Sequence, residues 1–162
     1  MNTFRRIPIM SLAVAGLIAG GLMLSSLHGQ QAGLAPNPSG TWIQTITLKG
    51  EAPFQGLVTF NADGTVTDTD QADAAPPDIA SPGHGVWLYG GQNTVHIRLE
   101  KFLFLAGGSG TPDGTNLSIG TVTIKDSDNF QANGVVEVFS NTGQQVLTIP
   151  FTSVGKRMTL SN

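Results

Sequence analysis

From Gly40 onward, the chain nowhere sustains the 3.6-residue apolar rhythm that would bury one face of a helix. Short stretches rich in Val, Ile, Thr and Phe recur instead, each closed by Gly, Asn, Asp or Pro. Alternation bounded by turn formers is the pattern of strands and reversals. Such stretches cover residues 41–49, 55–60, 65–69, 86–89, 94–106, 116–125, 130–139 and 145–154, with a short last rung at 157–160. Asn61-Ala62-Asp63-Gly64 joins the second to the third, and Asp-Gly supplies the positive backbone angle of a tight hairpin. Gly90-Gly91-Gln92-Asn93, Asp126-Ser127-Asp128-Asn129 and Asn141-Thr142-Gly143 mark further reversals, so the only long loop is 70–85. An open sheet of that many strands would leave edges to protect. The expected fold is therefore all-β: a closed antiparallel up-and-down barrel of about eight strands, with a β-sandwich as the alternative.

Before this region the sequence is of another kind. Arg5-Arg6 precedes a run at 7–27 that is apolar or small apart from Ser11, Ser25 and Ser26, the pattern of a secretory signal. The arginine pair matches a twin-arginine motif poorly. At 21 residues the run is also long enough to span a bilayer as an uncleaved anchor. Residues 1–33 are thus read as a signal peptide or N-terminal membrane anchor, 34–39 as a short linker, and 40–162 as the barrel domain. In either case the domain is expected outside a bacterial cytoplasm, periplasmic or secreted, with membrane contact only if the anchor stays.

Composition narrows the chemistry. There is no cysteine, which excludes disulfides, thiolate catalysis and thiolate metal sites. Without Arg5 and Arg6, six basic residues face eleven acids, a net charge near −5 that disfavours nucleic acid. The sequence leaves the oligomeric state open.

Gly40-Thr41-Trp42, at the start of the first strand, resembles the Gly-x-Trp signature of lipocalins and the wider calycin barrels. That resemblance implies that Trp42 closes one end of the barrel and that Arg157, or alternatively Lys156, packs over the indole. A longer series includes Phe60-x-Ala62-Asp63-Gly64-Thr65, Ser81-Pro82-Gly83-His84-Gly85-x-Trp87, Phe102-x-Phe104, Gly120-Thr121-Val122 and Val136-Glu137-Val138. The series is similar to a diffuse group of small bacterial calycin-like barrel proteins of unassigned activity. A cysteine pair, a Thr-Asp-Tyr motif and a helix after the barrel are all missing, so the resemblance implies the architecture more than lipocalin ligand carriage.

The longest strand carries the most unusual pattern. One parity reads Thr94, His96, Arg98, Glu100, Phe102 and Phe104; the other reads Val95, Ile97, Leu99, Lys101, Leu103 and Leu105. Side chains alternate faces, so the two sets part company. If the aliphatic set fills the core, His96, Arg98 and Glu100 are a solvated face. If the other set points inward, they form a polar floor, with Glu100 as base, His96 as acid or base and Arg98 holding an oxyanion.

His84, between two glycines, is either a presented imidazole or a turn residue. With His96 it has no recognised metal-ligand spacing, so no metal is expected. Asp63, Asp68, Asp70, Asp73 and Asp78 lack the ligand series of a calcium loop and read as solvated acids. Gly107-Gly108-Ser109-Gly110-Thr111 lacks the strand–turn–helix context of a nucleophile elbow.

The leading expectation is a binding module for a small apolar or amphipathic molecule, without a cofactor. Phe102, Phe104, Trp87, Tyr89 and His84 would supply its contacts. The alternatives are a cyclase or isomerase on a barrel like those of allene oxide cyclase and dirigent proteins, and a filled structural barrel.

Overall fold

The structure is a computed structural model that describes residues 37–75, 78–106 and 110–160. The signal or anchor expected at 1–33, the first part of the linker and residues 107–109 of the Gly-rich run lie outside the described residues. Among the described residues no helix is long and apolar enough to cross a membrane.

Among the described residues nine strands follow one another: β1 (Gly40–Leu48), β2 (Phe54–Phe60), β3 (Thr65–Asp70), β4 (Asp78–Ala80), β5 (Gly83–Gly91), β6 (Thr94–Leu105), β7 (Pro112–Ile124), β8 (Asn129–Ser140) and β9 (Gln145–Arg157). Eight of them form an antiparallel ring, β1-β2-β3-β5-β6-β7-β8-β9, closed where β9 pairs with β1. A single closed sheet excludes the sandwich. Closure satisfies the backbone donors and acceptors that an open sheet would expose along two edges.

The stretch 70–85 is not an irregular loop. It contains a 3-10 turn (Gln71–Ala74), then β4, then the start of β5. β4 pairs with the far half of β6 (Ala80↔Leu103) where β5 has yet to begin (His84↔Glu100). The break between them falls at Ser81-Pro82, since proline has no N–H for the ladder. Ser81 bridges the gap: its N–H donates to Phe102 O at 2.9 Å, and its Oγ accepts from Phe102 N at 3.0 Å. At the other end of the chain, the separate rung expected at 157–160 is absent. β9 runs unbroken to Arg157, which pairs with Trp42.

Turn chemistry fixes the register. In the β2–β3 hairpin Gly64 has φ 89°, and Asp63 Oδ1 accepts from Thr65 N (2.9 Å) and Thr65 Oγ1 (2.7 Å). Those hydrogen bonds, from the hydroxyl and then the amide, hold the Asp63 carboxyl below its ordinary pKa. At the β7–β8 turn, Asp126 Oδ1 accepts from Asp128 N at 2.8 Å and from Asn129 Nδ2 at 2.8 Å, lowering its pKa likewise.

The core is concentrated at one end of the ring. Trp42, Phe60 and Phe130 meet edge-to-face, with centroids 5.2 Å apart for Trp42–Phe130 and 6.5 Å for Phe60–Phe130. Val66, Val95, Val122 and Ile124 complete this plug, each 1% exposed or less. Arg157 seals it from below, its guanidinium carbon 4.0 Å from the Trp42 ring centroid. The same guanidinium donates to Ser39 O (2.6 Å) and Asn37 O (2.9 Å), while Trp42 Nε1 donates to Pro38 O at 2.9 Å. Residues 37–39, read from the sequence as part of a tether, are therefore held against the barrel end. Gly155 makes the plug fit, because a Cβ there would overlap the Phe130 ring.

Two substitutions test this packing by urea denaturation. Gly155→Ala is expected to cost about 1–3 kcal/mol, since Phe130 must leave its rotamer or β9 must shift. Trp42→Ala removes the centre of the plug and is expected to cost about 3–5 kcal/mol.

Candidate functional site

Away from the plug the inward side chains no longer meet across the lumen, and the barrel is hollow. A half-open cavity of about 460 Å³ occupies this end. Its apolar wall comes from Ile46 of β1, Phe54 of β2, Leu103 of β6, Val138 of β8, and Ile149 and Phe151 of β9. The 3-10 turn contributes Ala72 and Asp73 to the lining.

A polar cluster interrupts that wall. Lys101 is 5% exposed, and its Nζ lies 2.8 Å from Asp68 Oδ2, 2.7 Å from Asp70 Oδ2 and 2.6 Å from Asp73 Oδ1. Three N–H donors thus meet three carboxylates, one each, which is full capacity for an ammonium. The remaining carboxylate oxygens are also engaged. Asp68 Oδ1 accepts from Gln44 Nε2 (2.7 Å), and Gln44 Oε1 in turn accepts from Ser153 Oγ (3.0 Å). Asp70 Oδ1 accepts from Ala72 N (2.9 Å) and Asp73 Oδ2 from Asp70 N (2.8 Å), a reciprocal capping box for the turn. Lys101 thereby ties the turn at the cavity to β6. Glycine makes the room: a Cβ at Gly56 would stand 2.8 Å from Asp70 Cβ, and one at Gly83 would stand 3.1 Å from Lys101 Cε.

Charge does not balance within the cluster. Desolvation pulls the Lys101 ammonium down, but Asp68 and Asp70 outweigh it, so its pKa lies above the ordinary lysine value. Burial pushes Asp68 up to about 6, more than Lys101 can offset, with the neighbouring Asp70 and Asp73 charges adding to the rise. Beside Lys101, its cross-strand partner Asn116 keeps a buried Oδ1 with no hydrogen-bond partner.

The residues singled out in the sequence lie elsewhere. His96, Arg98 and Glu100 are exposed on the outer face of β6, so the inward polar floor is not formed. The reason is parity. Val95 and Leu99 are core residues, and turning that set inward necessarily turns the charged set out. Phe102 goes out with them and is 60% exposed; Phe104 shares its face. His96 Nδ1 is 3.1 Å from Thr121 Oγ1 on the neighbouring strand. His84 also faces outward, opposite Glu100, in an outer hollow with Ser81, Pro82 and Phe102. Trp87 belongs to the plugged end: its ring packs against Phe60 and Tyr89, and its Nε1 donates to Asn61 O at 2.9 Å. Tyr89 is 47% exposed beside it. None of Phe102, Phe104, Trp87, Tyr89 and His84 lines the interior cavity.

Asp68, Asp70 and Asp73 are conversely not solvated loop acids, because their side chains are only 10–13% exposed. The signal was present in the pattern. Lys101 is the one charge in an otherwise aliphatic parity, and Asp68 and Asp70 share the parity of Val66. Among the described residues no group of three or more His, Cys, Asp or Glu is arranged to hold a metal ion. The ammonium of Lys101 stands where the three carboxylates would otherwise place a cation.

No family model matches the chain, and no curated protein matches it. Among solved structures it is similar to a redesigned β-barrel, b11L5F_LGL, with TM-score 0.51 and 16% identity over 75% of this chain and 92% of that one. It is equally similar to EF1p2_mFAP2b, solved bound to DFHBI, with TM-score 0.52 and 16% identity over 75% and 94% of the two chains. At that identity the likeness concerns the closed eight-stranded antiparallel barrel.

Lys101→Met is expected to cost about 3–5 kcal/mol near neutral pH, because it strands three buried carboxylates. The loss should shrink on acidification as those carboxylates take up protons, which denaturation curves at several pH values would show. In the unsubstituted protein, Asp68 binds its proton more readily folded (about 6) than unfolded (3.8). Its contribution therefore raises stability as pH falls from above 6 towards 4, by up to about 3 kcal/mol. Asp68→Asn should flatten that slope.

Proposed function

We propose that this protein is an exported, calycin-like barrel that holds a small apolar or amphipathic molecule in its interior. The observation that carries the reading is the half-open cavity of about 460 Å³ in a ring plugged at its other end. That volume lies in the range of small-molecule sites, roughly 300–1,000 Å³, and its wall is mostly apolar with a few convergent polar groups. The neighbour bound to DFHBI supports it as a barrel of the same architecture that takes a ligand. The Arg157–Trp42 stack beside Gly40 supports the calycin resemblance, and the basic-then-apolar start of the sequence supports export. A cyclase or isomerase built on His96, Arg98 and Glu100 has no support, since the three face solvent.

The ligand would enter at the end lined by Phe54 and the 3-10 turn and lie in the lumen, with β1 and β6 on opposite walls and β8 and β9 closing one flank between them. The contact area comes from aliphatic residues together with Phe54 and Phe151, with the Lys101 cluster in reach of a polar head. Filling the cavity tests the reading. Val136→Trp is expected to weaken binding of decanol by more than about tenfold in calorimetric titration, with the circular dichroism of the barrel unchanged. Phe102→Ala, on the outer face, should leave the affinity within about twofold. The reverse order would move the site to the outer hollow.

A further inference from the structure

Resting on the cavity reading above, we infer that the ligand is a cationic amphiphile, an apolar chain bearing a protonated amine whose head lies against the carboxylates around Lys101. Among the described residues lining the cavity, the charged side chains are Glu51, Asp68, Asp70, Asp73 and Lys101: four acids and one base. The base offers nothing to an incoming anion, because each of its three N–H groups already meets a carboxylate at 2.6–2.8 Å. A fatty-acid head would thus bring a negative charge into a net-negative, partly buried wall whose one cation is already fully engaged. Like charges at short range in such a medium repel by several times what they would in water.

An ammonium meets the opposite conditions. Each carboxylate oxygen of Asp70 and Asp73 accepts one hydrogen bond and can accept another, so both residues can receive a donor without releasing Lys101. Asn116, beside Lys101 in the register of β6 and β7, also lines the cavity, and its buried Oδ1 accepts no hydrogen bond. Beyond the head, Ile46, Leu103, Ile149 and Phe151 form the apolar wall that an alkyl or aryl tail needs. The excess negative charge then serves recognition, and it explains why the cavity wall tolerates three aspartates for one lysine.

The test compares decylamine, decanol and decanoate by calorimetric titration of the full-length protein at about pH 7.5. Decylamine should bind about tenfold or more tighter than decanol, with decanoate the weakest. On lowering the pH to about 5, Asp68 takes up its proton while the amine stays charged, so the preference over decanol should narrow. Asp68 is faced there by Lys101 of β6, Asp70 of its own strand, Asp73 of the 3-10 turn and Gln44 of β1, with Glu51 at the cavity lining. Asp73→Asn should narrow the preference at constant pH. If that variant does not fold, the pH series decides. Equal affinities for the three probes, or tightest binding of decanoate, would overturn the cationic inference and leave the cavity reading intact. Failure of all three to bind folded protein would overturn both.

Discussion

A closed ring of eight strands encloses a fixed volume, and the inward side chains must fill it or leave it empty. In this chain Trp42, Phe60 and Phe130 meet edge-to-face over Arg157 and close one end. Towards the other end Ile46, Phe54, Leu103, Ile149 and Phe151 line the lumen without filling it, and Asn116 and Ser118 add short side chains to the same lining. Packing deficits of that size cost a protein stability unless something occupies them. Uneven packing therefore leaves the barrel sealed at the plug and receptive at the opposite end. Strand order, register and turn chemistry serve mainly to set that gradient.

The Lys101 cluster lies within the receptive half, and its energetics differ from those of the plug. Burying an ammonium and three carboxylates costs desolvation that their mutual attraction only partly offsets. Aliphatic residues of similar volume would give a more stable barrel, so stability alone does not account for the cluster. Its geometry gives two other results. Lys101 fastens both carboxylates of the capping box that starts the Gln71–Ala74 turn, which gives the cavity a defined wall where β3 ends. The surplus of carboxylates makes that wall electronegative, which gives an otherwise apolar hollow a preference among ligands.

Much of the fold was legible in the sequence. Period-2 alternation located the strands, and Asp63-Gly64 and Asp126–Asn129 announced their hairpins through side chains that hydrogen-bond their own turns. The segment 70–85 was illegible as structure because its elements are short and interrupted by Pro82. The site was harder still. Charged residues on β6 drew attention as a group, whereas in a half-buried strand a group of charges is the solvated face. The informative residue was the isolated one, Lys101 among aliphatics, and its partners came from β3 and the following turn, 28 to 33 positions earlier. That convergence depends on β3 and β6 facing one another across β5, a relation that strand order supplies and local pattern does not.

The most direct measurement is methyl NMR of protein labelled at Ile, Leu and Val, titrated with decylamine. An interior site opposite the plug requires shifts at Ile46, Leu103 and Ile149, with Val66, Val95 and Ile124 unmoved. Shifts confined to Val86 and Leu88 on the outer face, or at the plugged end, would contradict a ligand held in the hollow half of the barrel.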